Sequence, residues 1–172
     1  TINYVGSGVN SYYKKETQVT INNNAVTNVF TASSGNWSST SNWSIARLPI
    51  ENDNISIPSG RTVNLDLEDI KVTDISVVGT LNVNSGKSIT VKGNLTNTGT
   101  LKIDSDATTS GSIIVEGNSS GNIVYNRYIK DNTNWYLISS PVENQDIDLF
   151  ASGSSLALGS DDNRGLSNYN NS

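Results

Sequence analysis

The stretch "GTLNVNS" (residues 79–85) returns as "GTLKIDS" (residues 99–105), with Gly, Thr, Leu, a β-branched residue and Ser all in register. The distance between the copies is about 20 residues, inside the range that marks repeat architectures. A second pair, "SGKSITVKGN" (85–94) against "SGSIIVEGN" (110–118), repeats at a longer spacing. The excess predicts a small insertion near residues 106–109.

Outward from these copies, apolar residues come as couplets separated by one residue: Ile55/Ile57, Val63/Leu65, Ile70/Val72, Ile75/Val77, Leu81/Val83, Ile89/Val91, Leu101/Ile103, Ile113/Val115 and Ile123/Tyr125. Alternation over three to five residues makes a short strand with one buried face. The breaks hold Ser-Gly, Asn-Ser-Gly and Lys-Gly-Asn, turn formers because Gly and Asn tolerate positive φ. Two series hold a fixed step, Ile55/Ile75/Leu95 and Val63/Val83/Ile103. No segment shows sustained helical periodicity.

A period near 20 residues is too short for a propeller blade, at about 40, and lacks the leucine-rich spacing. It fits one coil of an all-β, right-handed parallel β-helix, or β-solenoid. Equivalent strands of successive coils then stack about 4.8 Å apart and the couplets fill a narrow interior. About four coils fit between residues 53 and 129. The alternative is an antiparallel β-sandwich with turns every 8 to 12 residues or so, which has no reason to repeat "GTL" in register.

The 172-residue chain is 34% hydrophobic and 16% charged, with Asn, Ser, Thr and Gly filling most of the rest. Its 11 basic and 16 acidic residues give a net charge of −5 and no basic cluster, which argues against a nucleic-acid partner. Cysteine and histidine are both absent, which removes disulfides, thiolate nucleophiles, imidazole bases and the usual zinc or haem ligands. No apolar run approaches the roughly 20 residues of a membrane helix, so no membrane insertion is expected. The lack of any methionine, including at residue 1, is expected of a mature or excised piece of a longer exported protein.

A solenoid exposes strand edges and an open core at each end unless something covers them. Before the first coil lie Phe30, Trp37, Trp43 and Pro49; after the last come Tyr128, Trp135, Tyr136 and Pro141. The expected organisation is therefore an N-terminal strand segment or end of a preceding module (1–29), an N-terminal cap (30–52) and the solenoid (53–129). A C-terminal cap and the beginning of a following β domain complete it (130–172).

The run "NWSSTSNWSIARLPIENDNISIPSGRTVNLD" (36–66) resembles the opening of extracellular β-helix modules. "GTLNVNSGKSITVKGNLTNTGTLKI" and "NRYIKDNTNWYLISSPV" are similar to large secreted surface proteins of Bacteroidetes, especially flavobacteria, exported by the type IX secretion system. The likeness covers about residues 30–142. It implies a non-catalytic structural or adhesive module at the extracellular cell surface, associated with the outer membrane, within an adhesin-like or gliding-motility protein. Other surface or secretion-system proteins, or surface glycans, would be its partners. The resemblance supplies no catalytic motif.

Three further chemistries are open to these residues. Carboxylate pairs Asp66/Glu68, Asp104/Asp106 and Asp146/Asp148 share a side of an extended strand, a spacing that suits acid–base work or calcium. No cofactor is expected, with Ca²⁺ the one candidate, at Asp161, Asp162 and Asn163 in "SDDNRG", which lacks the distal bidentate Glu of an EF-hand. Stacked Thr80 and Thr100 raise an ice-binding face, but neighbouring outward positions change to Asn, Lys, Glu and Asp. Asn82/Lys102 and Asn84/Asp104 read as outward ladders. Carbohydrate binding is the leading alternative function, with Trp37, Trp43 and Trp135 as stacking platforms. The competing reading makes each indole a plug on the solenoid mouth, and burial separates the two.

Overall fold

Where apolar and polar residues alternate between Gly, Asn and Asp turns, the chain forms strands of two to five residues. The computed structural model describes residues 2–4, 13–15, 25–130 and 146–153, in two units, Thr1–Asn126 and Arg127–Ser172. In the first unit, β1 (Ile2–Tyr4) and β2 (Tyr13–Lys15) pair antiparallel. Next come β3 (Val26–Val29) and β4 (Ser34–Asn36). Three complete coils follow. They are β5 (Asp53–Ile57), β6 (Thr62–Leu65) and β7 (Ile70–Val72); then β8 (Ile75–Val77), β9 (Thr80–Val83) and β10 (Ser88–Val91); then β11 (Leu95–Asn97), β12 (Thr100–Asp104) and β13 (Ser112–Val115). A partial rung, β14 (Ser119–Ser120) and β15 (Val124–Asn126), ends the stack.

All these rungs pair in parallel, in three sheets ordered β14-β11-β8-β5-β3, β15-β12-β9-β6-β4 and β13-β10-β7. The chain is therefore a β-solenoid of about 21 residues per turn, not an antiparallel sandwich. Inward couplets stack as columns: Ile55/Ile75/Leu95, Ile57/Val77/Asn97, Val63/Leu81/Leu101, Leu65/Val83/Ile103 and Ile70/Ile89/Ile113. Most of these side chains are fully buried and form one continuous core.

The steps between coils are uneven. Val63 lies opposite Leu81, not Val83, because the step from β6 to β9 is 18 residues, as in the Asn82–Asn64 bond. The step from Asp74 to Asn94 is 20, and that from Asn94 to Asn118 is 24. The longest step includes the expected insertion, closed by the Ser105–Ser110 bridge. The Asp106 carboxylate accepts bonds from the N–H groups of Thr108 and Thr109 inside this loop, at 2.8 Å each. A parallel stack tolerates such changes at corners, because only the strand positions must stay in register.

The ladder also begins earlier than residue 53, since β3 and β4 already pair with β5 and β6. A strand segment was expected within 1–29, but alternation could not place it in the stack, because β4 is Ser-Gly-Asn and the inward residue of β3 opposite Ile55 is Asn28. Polar residues end this column on both sides, with Asn28 before Ile55 and Ser119 after Leu95.

The repeated glycine of "GTL" has a different cause from the turn glycines. Gly60 and Gly86 adopt positive φ, at 73° and 72°. Gly79 and Gly99 instead sit where coils turn against each other: a Cβ on Gly99 would collide with the carbonyls of Gly79 and Val78, and one on Gly79 with those of Pro58 and Arg61. Close backbone approach selects them.

In the second unit, α1 (Ile147–Gly153) is a short helix, where a further β module was expected. Asp146 caps it, its Oδ1 accepting the N–H groups of Asp148 and Leu149 at 2.9 Å each. The Asp146/Asp148 pair thus belongs to a helix start, not to an extended strand. Ile147, Phe150 and Ala151 fall at helical spacing in a segment too short to register as periodic.

Candidate functional site

The two Asn-Trp-Ser triplets place both tryptophans, both serines and the Asn42 amide at the N-terminal end of the solenoid. Trp37 follows β4, and Trp43 follows a single 3-10 turn, Thr40–Asn42. Both indoles are turned inward, at 0% and 2% exposure, beside the fully buried Phe30. The rings meet edge to face, Trp37 with Trp43 at 4.7 Å between centroids and Phe30 with Trp43 at 5.2 Å. Such pairs add about 0.5–1.5 kcal/mol beyond area burial. Burying an indole's area of about 150–250 Å² is itself worth about 4–6 kcal/mol.

The Trp43 Nε1–H donates to the Trp37 carbonyl at 2.9 Å, whereas the buried Nε1–H of Trp37 meets no acceptor. Asn42 donates its amide to the Asn36 carbonyl at 3.0 Å and packs against Gly35, where a Cβ would press on that amide. Ser38 binds Asp66 through both its N–H, at 2.9 Å, and its hydroxyl, at 2.6 Å. Ser44 exchanges bonds with Val29: its N–H donates to the Val29 carbonyl at 2.8 Å, and its Oγ accepts the Val29 N–H at 3.0 Å. The segment around Trp43 therefore runs antiparallel along the outer edge of the first rung, with Phe30 and Trp43 bridged. This blocks the edge that would otherwise template another strand.

A charged latch holds the end of this segment. Arg47 pairs in a fork with Asp53, Nη1 to Oδ2 at 2.6 Å and Nη2 to Oδ1 at 2.7 Å. The Ile50 N–H adds a third bond, at 3.0 Å. Burial pushes the Asp53 carboxyl up, but the hydrogen bonds from Arg47 and Ile50 and the charge of Arg47 together hold it below its ordinary value of 3.8. The bidentate geometry fixes direction as well as energy. Asp53, Asp66, Arg47 and Asn28 carry this end of the fold; Asp66 stood out in the sequence only as one of a carboxylate pair, and no local pattern singles out the other three.

Neither Trp37 nor Trp43 has a face open to solvent. Stacking on a pyranose needs one, so the carbohydrate reading of these two residues loses its platform. Their packing is that of a plug on the apolar mouth. Trp135, and the calcium candidates Asp161, Asp162 and Asn163, lie outside the described residues.

The other carboxylates are dispersed along the coils rather than gathered. Asp66 holds Ser38, Glu68 pairs with Lys87 at 2.9 Å, and Asp104 pairs with Lys102 at 3.2 Å and accepts from Asn126 at 2.8 Å. Asp106 is held well below the usual carboxylate range by the Thr108 and Thr109 N–H groups, then by the Thr108 and Ser85 side chains. Among the described residues no group of three acidic side chains converges as a metal site.

Outward positions form ladders, and of the two expected pairs Asn82/Lys102 stands in register. Asn82 donates to Asn64 at 2.9 Å, and Lys92 on one coil bonds Glu116 on the next at 2.8 Å. At one corner Asp74 Oδ1 accepts the Asn94 N–H at 2.7 Å, and Asn94 Oδ1 accepts the Asn118 N–H at 3.0 Å. Thr62 joins Thr80 and Thr100 in one column, but the next outward column runs Asn64, Asn82, Lys102 and Val124, so Thr-x-Thr does not recur. These side chains pin register between coils.

Residues 29–158 match a family described as "Domain of unknown function (DUF8693)". The chain belongs to this family. No curated protein and no solved structure matches it significantly. The match takes in the plug and all three complete coils, so the part of this chain that belongs to the family has a solenoid as its framework.

Proposed function

We propose that this chain is a non-catalytic structural or adhesive module of a large extracellular bacterial surface protein, exported by the type IX secretion system and held at the outer membrane. One observation carries the reading: outward polar side chains such as Asn64, Asn82, Asp74, Asn94, Lys92 and Glu116 join one coil to the next, and Phe30, Trp37 and Trp43 close an end. A solenoid built this way is a rigid spacer, because each added coil lengthens it without new chemistry. The sequence resemblance to flavobacterial surface proteins supplies the location and the export route.

Surface proteolysis and fractionation of the native bacterium test it. The proposal expects the protein in the outer-membrane or medium fraction, cleaved by protease added to intact cells; recovery from the cytosol would overturn it. A glycan array with the purified chain gives the second arm. Saturable binding that survives Trp37→Phe and Trp43→Phe would move the adhesive role to another surface, and no binding leaves the spacer role. Affinity purification from outer membranes separates a free-standing module from an accessory of the secretion or gliding machinery, which would copurify with it.

A further inference from the structure

We draw no further inference here: the strongest candidate, the apolar C-terminal end of the solenoid where Ile113, Val115, Ile123 and Tyr125 are only partly buried and Ile114 and Val124 are exposed, carries nothing because nothing in the structure shows what covers it.

Discussion

Replacing Trp43 with alanine tests the plug directly. The indole is 2% exposed, touches Phe30 and Trp37 edge to face, and supplies the hydrogen bond to the Trp37 carbonyl. Truncating a buried Trp costs about 3–5 kcal/mol through lost transfer energy and the cavity left behind. For the unit Thr1–Asn126, an unfolding entropy of about 2.1 cal/mol/K per residue means that each kcal/mol moves Tm by about 4 °C, so thermal unfolding should occur about 11–19 °C lower. The damage should also have a place. In a solenoid each coil contacts only its neighbours, so hydrogen exchange should accelerate in β3 and β4 and least in β12. Trp43→Phe keeps a ring for the contacts but loses the donor, and should fall between the two, nearer to wild type. The reasoning fails if Trp43→Ala melts at the wild-type temperature, or if protection drops equally along all coils. It fails most plainly if stability is kept while glycan retention disappears, because the indole would then be a ligand platform.

Other perturbations separate the remaining contributions. Asp53 has a folded-state pKa below the 3.8 of the unfolded chain, so its stabilisation is present above that value and disappears as pH falls through the folded pKa. Thermal melts from pH 7 to 2 should show acid destabilisation below about 3.8, and Asp53→Asn should be weaker at pH 7 with a shallower acid limb. An unchanged acid limb in that variant would remove Asp53 from the account. Gly99→Ala meets two backbone carbonyls and should cost at least the 1–3 kcal/mol or so typical of overpacking, by chemical denaturation. Gly60→Ala, with no atom within 4 Å but φ of 73°, should cost only about 1 kcal/mol; equal losses would refute close approach as the reason for the repeated glycine. Asp66→Ala frees Ser38, and should lower stability by about 1–3 kcal/mol and raise exchange at the Ser38 amide; unchanged exchange there would count against the clamp.

The sequence by itself determined the coil. Alternation has a period of two within a strand, and the "GTL" copies fix how far apart equivalent strands lie. Both are local properties, which is why the Ile55/Ile75/Leu95 column and the insertion at 106–109 are legible in the chain itself. The position of the twin tryptophans ahead of the coils also pointed to an end.

Tertiary structure decided what happens at that end and at the corners. Whether Trp37 and Trp43 face water depends on how residues 37–46 fold back over β3, through bonds such as Ser44 to Val29 and Ser38 to Asp66, spanning 15 and 28 residues. No window of alternation contains such pairs. The place of the first rung was set in the same way: residues 1–29 read as a strand segment, but membership of β3 and β4 in the stack comes from pairing with β5 and β6, not from an inward apolar couplet. The helix start at Asp146 stayed unread because Asp146 and Asp148, two apart, look alike on a strand and only hydrogen bonding tells them apart. Local periodicity specifies a strand and its buried face. Which buried face closes an end, and which carboxylate becomes a latch, is set by contacts between residues far apart in the chain.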